Sequence, residues 1–561
     1  MRFKLAALAL LSMVATGVAA QPPGGDDPLV FITAKYVNRA QLQGIASHFQ
    51  HLIIDEQTKT VRVEATHDEI IALRRAGIDV RIDDVATQRL RQSETALQQG
   101  VQIDSITGYP CYRTVDETYA TMDQLAQARP DLARVIDIGP TWLETRQPGA
   151  GHRMRVLRLS NSATDAIYSD KPEMVVFASI HAREYTPAEL LTRFAESLVN
   201  GYGTDPEATW LLDNFRFHLV LEANPDGREK AEAGLSWRKN VDNSNGVCTA
   251  TTYGIDLNRN FPFQWKGVPG GSSGDACAST YRGPLRLSEP EAQNLLRYVA
   301  GAPNASGVYV GGVFPDRRGD AASAGAPGDY RGMFVDLHSY SQVVLWPWAY
   351  STAPTQNATA LQTLGRRLAW FNSYKPEQWI NMYAADGTTT DTMYGLLGVP
   401  SYTIELGVAF FETCSIFESS TLPKNLAALR YAARNLVAPY QSPAGPDTTS
   451  ISISPSTVSP GTSVTVTATV DDSRFNQSNG AEPVQNIAAA GAYLDQRPWM
   501  LTAMPAAMQA SDGRFDSPRE SVSVRVPTLG LAIGSHVVFV RGTDASGRPG
   551  TPNAVYFTVT R

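Results

Sequence analysis

The chain has 561 residues, a formal charge of −7 and 43% hydrophobic residues. That hydrophobic content is enough for several packed cores, and the length fits about three or four domains. The acidic balance excludes nucleic acid as the default partner.

The first twenty residues, MRFKLAALALLSMVATGVAA, place Arg2 and Lys4 before an apolar run closed by Val18, Ala19 and Ala20. This is the layout of a secretory signal cut after Ala20, and the run is short for a bilayer span. No later segment is long and apolar enough to span a membrane, so the expectation is a secreted protein, extracellular or periplasmic.

Residues 21–104 read as a pro-segment. LVFITAKY is a strand, NRAQLQGIASHF a helix, HLIIDE and TVRVEA a hairpin, HDEIIALRRAG a helix and IDVRID a strand. The order β-α-β-β-α-β is a split βαβ, a small α+β ferredoxin-like unit. The polar linker DVATQRLRQSETALQQG follows, with Arg89 and Arg91 open to proteases. The expectation is a removable inhibitor that covers a site on the next domain.

Over residues 105–440 short apolar runs (RVIDIG, MRVLRLS, EMVVFASI, FRFHLVLEAN, MFVDLHS, SYTIELG) alternate with helical patterns such as TPAELLTRFAESLVNGY and SEPEAQNLLRYVAG. That interleaving predicts an α/β fold, a mostly parallel mixed sheet flanked by helices. Over residues 446–561 the helix signal disappears. SVTVTATVDD, SVSVRVP, SHVVFVRGTD and NAVYFTVTR alternate apolar and polar residues between turn signals, which predicts an all-β, immunoglobulin-like sandwich. His536 falls mid-strand there and reads as structural.

Four cysteines occur, Cys111, Cys248, Cys277 and Cys414. An even count in an exported chain favours disulfides, with three pairings open. None forms a C-x-x-C pair, so a cysteine zinc site is not expected.

The stretch VVFASIHAREYTPAELL carries the main functional signal. A histidine with an acid three residues later is weak alone: acids fill 55 of 561 positions, so eight histidines give about 0.8 such pairs by chance. Its place changes the reading. His181 and Glu184 directly follow a strand, and ligands in open α/β sheets collect at the carboxyl ends of strands. His338 ends the strand MFVDLHSY, and Glu405 lies near the end of SYTIELG. Two imidazoles, one carboxylate and an open fourth position make a catalytic zinc site, whereas calcium or magnesium wants more oxygen ligands. Asp256, in YGIDLNRNF, is a candidate to hold the second nitrogen of His181.

Motifs in one fixed order complete the pattern: HARE at 181–184, NPDG at 224–227, WRKN at 237–240, DLNRNF at 256–261, YRGPLRLSEPE at 281–291, HSYSQVVLWPW at 338–348, YAADGTTTD at 383–391 and TIEL at 403–406. From about Gly108 to Tyr440 the chain resembles the zinc metallocarboxypeptidases of the carboxypeptidase A/B/T type. The resemblance implies one zinc ion on His181, Glu184 and His338, with Glu405 as general base and Arg238 as oxyanion donor. It implies Asn258, Arg259 and Tyr383 as the clamp for a terminal carboxylate, Arg183 and Tyr340 as further substrate contacts, and Asp256 as the partner of His181. Substrates would be peptide and protein C-termini. The position at the base of the family's specificity pocket is Thr390, neither apolar nor acidic. Asp336 either faces the same pocket and favours basic side chains or is a strand-end acid paired elsewhere, and the expectation is mixed specificity. Cys248 and Cys277 bracket DLNRNF, where the family often carries a disulfide, which leaves Cys111 to Cys414. A cell-wall peptidase of the same zinc class ranks second, since no wall-binding repeat is visible. A binding protein on an inactive peptidase fold ranks lower, because both histidines, Glu405 and Arg238 are in place.

Overall fold

A computed structural model describes residues 30–49, 52–88, 105–318 and 325–561. The signal sequence and the linker arginines Arg89 and Arg91 lie outside the described residues. Among the described residues no helix is long and apolar enough to cross a membrane.

The N-terminal unit runs β1 (Val30–Lys35), α1 (Arg39–Phe49), β2 (Ile53–Asp55), β3 (Thr60–Ala65), α2 (His67–Arg75) and β4 (Asp79–Ile82). Thr66 starts α2 with a capping box: its hydroxyl accepts from the Glu69 amide, and the Glu69 carboxylate accepts from the Thr66 amide. The four strands order as β2-β3-β1-β4, with β3 antiparallel between β1 and β2, the split βαβ arrangement.

The central sheet has eight strands: β5 (Ala133–Pro140), β6 (Arg153–Leu159), β7 (Glu173–Phe177), β8 (Arg216–Val220), β9 (Met333–Ser339), β10 (Val343–Trp346), β11 (Lys375–Gln378) and β12 (Ser401–Leu406). Their order is β11-β10-β12-β9-β7-β8-β6-β5. The centre, β12-β9-β7-β8, is parallel, and β8-β6-β5 on one side and β10 against β12 on the other are antiparallel. β9 is buried along its whole length, as a strand covered on both faces must be. β10 and β11 are strands that the sequence patterns do not separate from their surroundings.

Helices α3 (Tyr185–Gly201), α4 (Pro225–Glu232), α5 (Pro290–Ala300), α6 (Ala358–Asn372), α7 (Thr389–Leu397) and α8 (Leu422–Arg434) are among those flanking this sheet. The N-cap of α3 is Glu184, whose carboxylate makes no capping bond. A helix start that leaves its own amides uncapped points to another use for that side chain.

The C-terminal strands are β13 (Asp447–Ser454), β14 (Thr457–Val458), β15 (Val464–Asp471), β16 (Ile487–Leu494), β17 (Ala506–Ala507), β18 (Gln509–Ala510), β19 (Arg519–Val526), β20 (Gly534–Asp544) and β21 (Asn553–Val559). They form two sheets, β13-β15-β19-β18 and β14-β21-β20-β16-β17. Val464, Val466, Val522, Val538, Val540 and Phe557 pack between them, so the unit is a sandwich. It is joined tightly to the α/β unit. Trp210 and Phe215 meet Phe539 and Trp499 with ring centroids 5.5 and 6.0 Å apart. Arg367 of α6, fully buried, lies 3.4 Å from Asp447 and 3.1 Å from Asp472. Disulfides join Cys111 to Cys414 and Cys248 to Cys277.

Candidate metal centre

Two segments converge at the carboxyl ends of β7 and β9. The loop after β7 supplies His181 and Glu184, and β9 supplies His338. Their donor atoms all lie within 4.8 Å of one another. His181 Nδ1 is 2.8 Å from Glu184 Oε1, and His338 Nδ1 is 3.1 Å from Glu184 Oε2 and 3.1 Å from His181 Nδ1. The Ser339 amide donates to Glu184 Oε2 at 3.1 Å. The side chain missing from the cap of α3 is here.

Each imidazole has a carboxylate at its far nitrogen. Asp256 Oδ1 is 3.2 Å from His181 Nε2, and Asp336 Oδ2 is 3.1 Å from His338 Nε2. Protons held at both Nε2 atoms turn both Nδ1 lone pairs toward one another and toward the Glu184 carboxylate. Three electron-rich donors facing one point call for a cation, and two nitrogens with one carboxylate suit zinc. A proton is the competing cation. Burial opposes a charge on His338, but Asp336 and Glu184 overcome it and hold the ring well above the usual histidine range. His181 goes the other way, lowered by burial and by Arg238. Burial would raise Glu184 and Asp256. The two histidines hold the first well below the usual carboxylate range, and Arg238 and Arg259 do the same for the second.

Glu405 of β12 lies beside His338 of β9 in register. Burial pushes its carboxyl up to about 8, with Glu184 adding and His338 and Arg238 opposing. Arg238 donates to Asp256 Oδ2 from Nε at 3.1 Å and Nη2 at 2.8 Å, and its Nη1 lies 3.2 Å from His181 Nδ1. The guanidinium is thus fixed at the rim of the three-donor cluster. Asp256 also caps the short turn Leu257–Arg259, accepting from the Asn258 amide at 3.0 Å. Asn258 Oδ1 accepts from the Thr389 amide at 2.9 Å. Arg259 is buried and donates to Gly271 O at 3.0 Å and Asn258 O at 2.6 Å. Gly387 permits this packing: it has φ +63°, and a Cβ there would sit 2.5 Å from Arg259 O. Tyr383 is buried within electrostatic reach of Arg259, Glu405, Arg238 and Glu184. The Thr390 hydroxyl meets that of Thr403 at 2.6 Å. Arg183 lies over the Phe410 ring at 4.0 Å, and Tyr340 meets the same ring edge-on at 4.9 Å.

With this geometry in view, the comparisons with known proteins are specific. A profile of the zinc carboxypeptidase family matches residues 118–413, more than half of the chain. The chain belongs to the zinc carboxypeptidase family. It is 31% identical over 319 residues to a zinc carboxypeptidase of Saccharothrix mutabilis subsp. capreolus, a match covering 55% of this chain and 64% of that one. It is 28% identical over 339 residues to carboxypeptidase A1 of Mus musculus, covering 58% and 70%. The carboxypeptidase A of Helicoverpa armigera shares the fold at a TM-score of 0.56 and 20% identity, over 73% of this chain and 98% of that chain. Thrombin activatable fibrinolysis inhibitor does so at 0.54 and 21%, with the same coverage.

In this member of the family the N-terminal unit packs against Tyr383 and Tyr340. Tyr383 and Trp379 share one apolar cluster with Ile32, Leu42 and Ile45. Gln43 of α1 brackets Tyr383, donating to Met382 O at 3.4 Å and accepting from the Ala384 amide at 3.2 Å. The Glu64 amide donates to the Tyr340 hydroxyl at 3.1 Å, and Phe31 packs against the same ring at 6.3 Å.

Two contributors have no role in the motif reading. Arg228 of α4, fully buried, donates to Glu184 O at 3.0 Å and Ala182 O at 3.4 Å, bracing the ligand loop from behind. The Thr389 hydroxyl donates to Asp336 Oδ2. The signal for Arg228 was its charge in the first turns of a helix opened by NPDG; nothing in sequence marked its partners.

Proposed function

We propose that the chain is a secreted zinc metallocarboxypeptidase that removes residues one at a time from peptide C-termini, with broad side-chain preference. One observation carries this reading: the three-donor cluster of His181, Glu184 and His338 has Glu405 beside it in register and Arg238 at its rim. His181, Glu184 and His338 would hold the ion. Zinc, when bound there, supplies Lewis acidity that polarises the scissile carbonyl and acidifies a water molecule.

The protein groups do the rest. Arg259, with Asn258 and Tyr383, grips the terminal carboxylate through paired hydrogen bonds that a peptide carbonyl cannot return. That grip sets the last peptide bond at the cluster. Glu405 Oε accepts a proton from the attacking water and delivers it to the leaving amine nitrogen. Arg238, charged and immobilised by Asp256, faces the oxyanion as it develops. Because Asp256 is already in place, no rearrangement is needed when that charge appears. Arg183 and Tyr340 contact the substrate further from the cut. The paired hydroxyls of Thr390 and Thr403 support a polar pocket floor, which suits a mixed preference.

The same reading makes residues 21–104 an inhibitory pro-segment, supported by its seat on Tyr383 and Tyr340. Residues 105–440 are the catalytic domain and residues 446–561 an immunoglobulin-like domain. The two disulfides fit export. The test is mass spectrometry of a peptide and its C-terminal amide incubated with processed protein. A ladder of C-terminal losses from the free acid, with the amide resistant, is expected. Equal turnover of both contradicts the carboxypeptidase assignment.

A further inference from the structure

Building on the zinc reading above, we propose that Asp336 is a positioning residue for His338, the counterpart of Asp256 for His181, and not the acid that selects basic side chains. Asp336 and His338 stand two residues apart on β9 and therefore on one face of the strand. Both are buried, and Asp336 Oδ2 is 3.1 Å from His338 Nε2. With Nδ1 turned to Glu184, the ring proton sits on Nε2 and needs an acceptor. Two groups are near Nε2. One is the Asn258 amide nitrogen at 3.2 Å, a donor whose orientation is fixed because Asn258 Oδ1 accepts from the Thr389 amide. The other is the Asp336 carboxylate, which accepts.

The carboxylate is itself anchored. The Thr389 hydroxyl, at the start of α7, donates to the same Oδ2. Asp336 lies in register with Thr403 on β12, whose hydroxyl is taken by Thr390. Each imidazole thus has its own carboxylate, fixing tautomer and ring angle and raising the basicity of the nitrogen offered to the metal. Oδ2 is committed to this pair of donors, and Oδ1 is buried, with no hydrogen-bond partner and no exposure to solvent.

The test is zinc affinity of the full chain, stripped of metal and titrated with zinc against a chromophoric chelator. Asp336→Asn and Asp336→Ser should weaken the dissociation constant about 10–100-fold relative to the unmodified chain. The visible absorption of the cobalt-loaded forms should shift, and the ratio of Phe to Arg release should stay unchanged. If neither variant gives a cooperative melt, Thr389→Val, which removes the anchor and keeps the carboxylate, should still weaken binding and alter the cobalt spectrum. Unaltered zinc affinity and cobalt spectrum in the folded variants overturn the proposal, as does a changed Phe to Arg ratio at unchanged affinity. An unmodified chain that takes up no zinc overturns the zinc reading itself, and this one with it.

Discussion

The Glu64 amide donates to the Tyr340 hydroxyl at 3.1 Å, and the Glu64 carboxylate accepts from the Phe410 amide at 3.5 Å. One residue of β3 therefore holds both Tyr340, two residues after His338, and Phe410, whose ring lies under Arg183. In the proposed reading, removing the N-terminal unit takes these contacts away and opens the site. Chain starting near residue 105 is expected to hydrolyse a short peptide at least tenfold faster than chain starting near Gln21, measured at equal zinc content. Equal rates contradict the inhibitory role.

In the proposed mechanism Arg238 and Glu405 act on the transition state, so their loss should lower kcat more than it raises KM. Arg238→Ala removes an oxyanion donor, and a loss of about 100–1000-fold in kcat is expected. Glu405→Gln removes the proton carrier at constant shape, with an expected loss of about 100–10,000-fold. Zinc content should be retained in Glu405→Gln, which steady-state kinetics and metal analysis together will show.

Stability should depend on pH through two acids away from the metal centre. Burial and Glu289 raise Glu291 to about 8, and burial and Asp242 raise Glu289 to about 7. Glu291 accepts from the Trp142 amide at 2.8 Å, and Glu289 from Asn240 at 2.7 Å. A carboxyl raised on folding binds its proton more tightly in the native state. Its stabilisation is complete below the unfolded value near 4.5 and is lost as pH rises through about 8. The melting temperature should fall between pH 6 and about 8.5, and Glu291→Gln, which keeps shape and stays neutral, should flatten that fall. An identical slope in the variant excludes Glu291 as its source.

The C-terminal sandwich is expected to be a fixed part of the fold. Arg367 donates to Pro443 O at 3.0 Å and Gly445 O at 2.7 Å besides its two carboxylates, and lies 3.6 Å over the Phe475 ring. Arg367→Leu leaves Asp472 without its cation and Asp447 with Arg474 alone at 3.4 Å, and a loss of about 3–5 kcal/mol is expected for such a buried pair. Denaturant unfolding measures it. Truncation before Pro446 should give insoluble chain, because Trp210, Phe215 and Arg367 lose their cover.

Much of the site was legible because its chemistry restricts residue type and place. Ligands at strand ends, an acid on the neighbouring strand and an arginine pair are hard to build from other residues, so His181, Glu184, His338, Glu405 and Arg238 stand out in the sequence. Asp336 shows the limit. Strand alternation places it on the face of His338 but is silent about its partner, and the contact to Nε2 appears only in three dimensions. Arg228 has no motif of its own, since what it holds is backbone. Among the elements, β11 reads KPEQ, with a proline tolerated only because the strand is at the sheet edge. β16 reads IAAAGAYL, poor in β-branched residues, and is a strand because β20 pairs with it along its length.

The central claim is that His181, Glu184 and His338 hold one zinc ion on which hydrolysis depends. Metal analysis of processed protein before and after chelation, with activity followed in parallel, tests it most directly. One zinc per chain, loss of both metal and activity on chelation, and recovery of both on adding zinc back are expected. Processed protein that cleaves peptides at full rate without stoichiometric metal would contradict it.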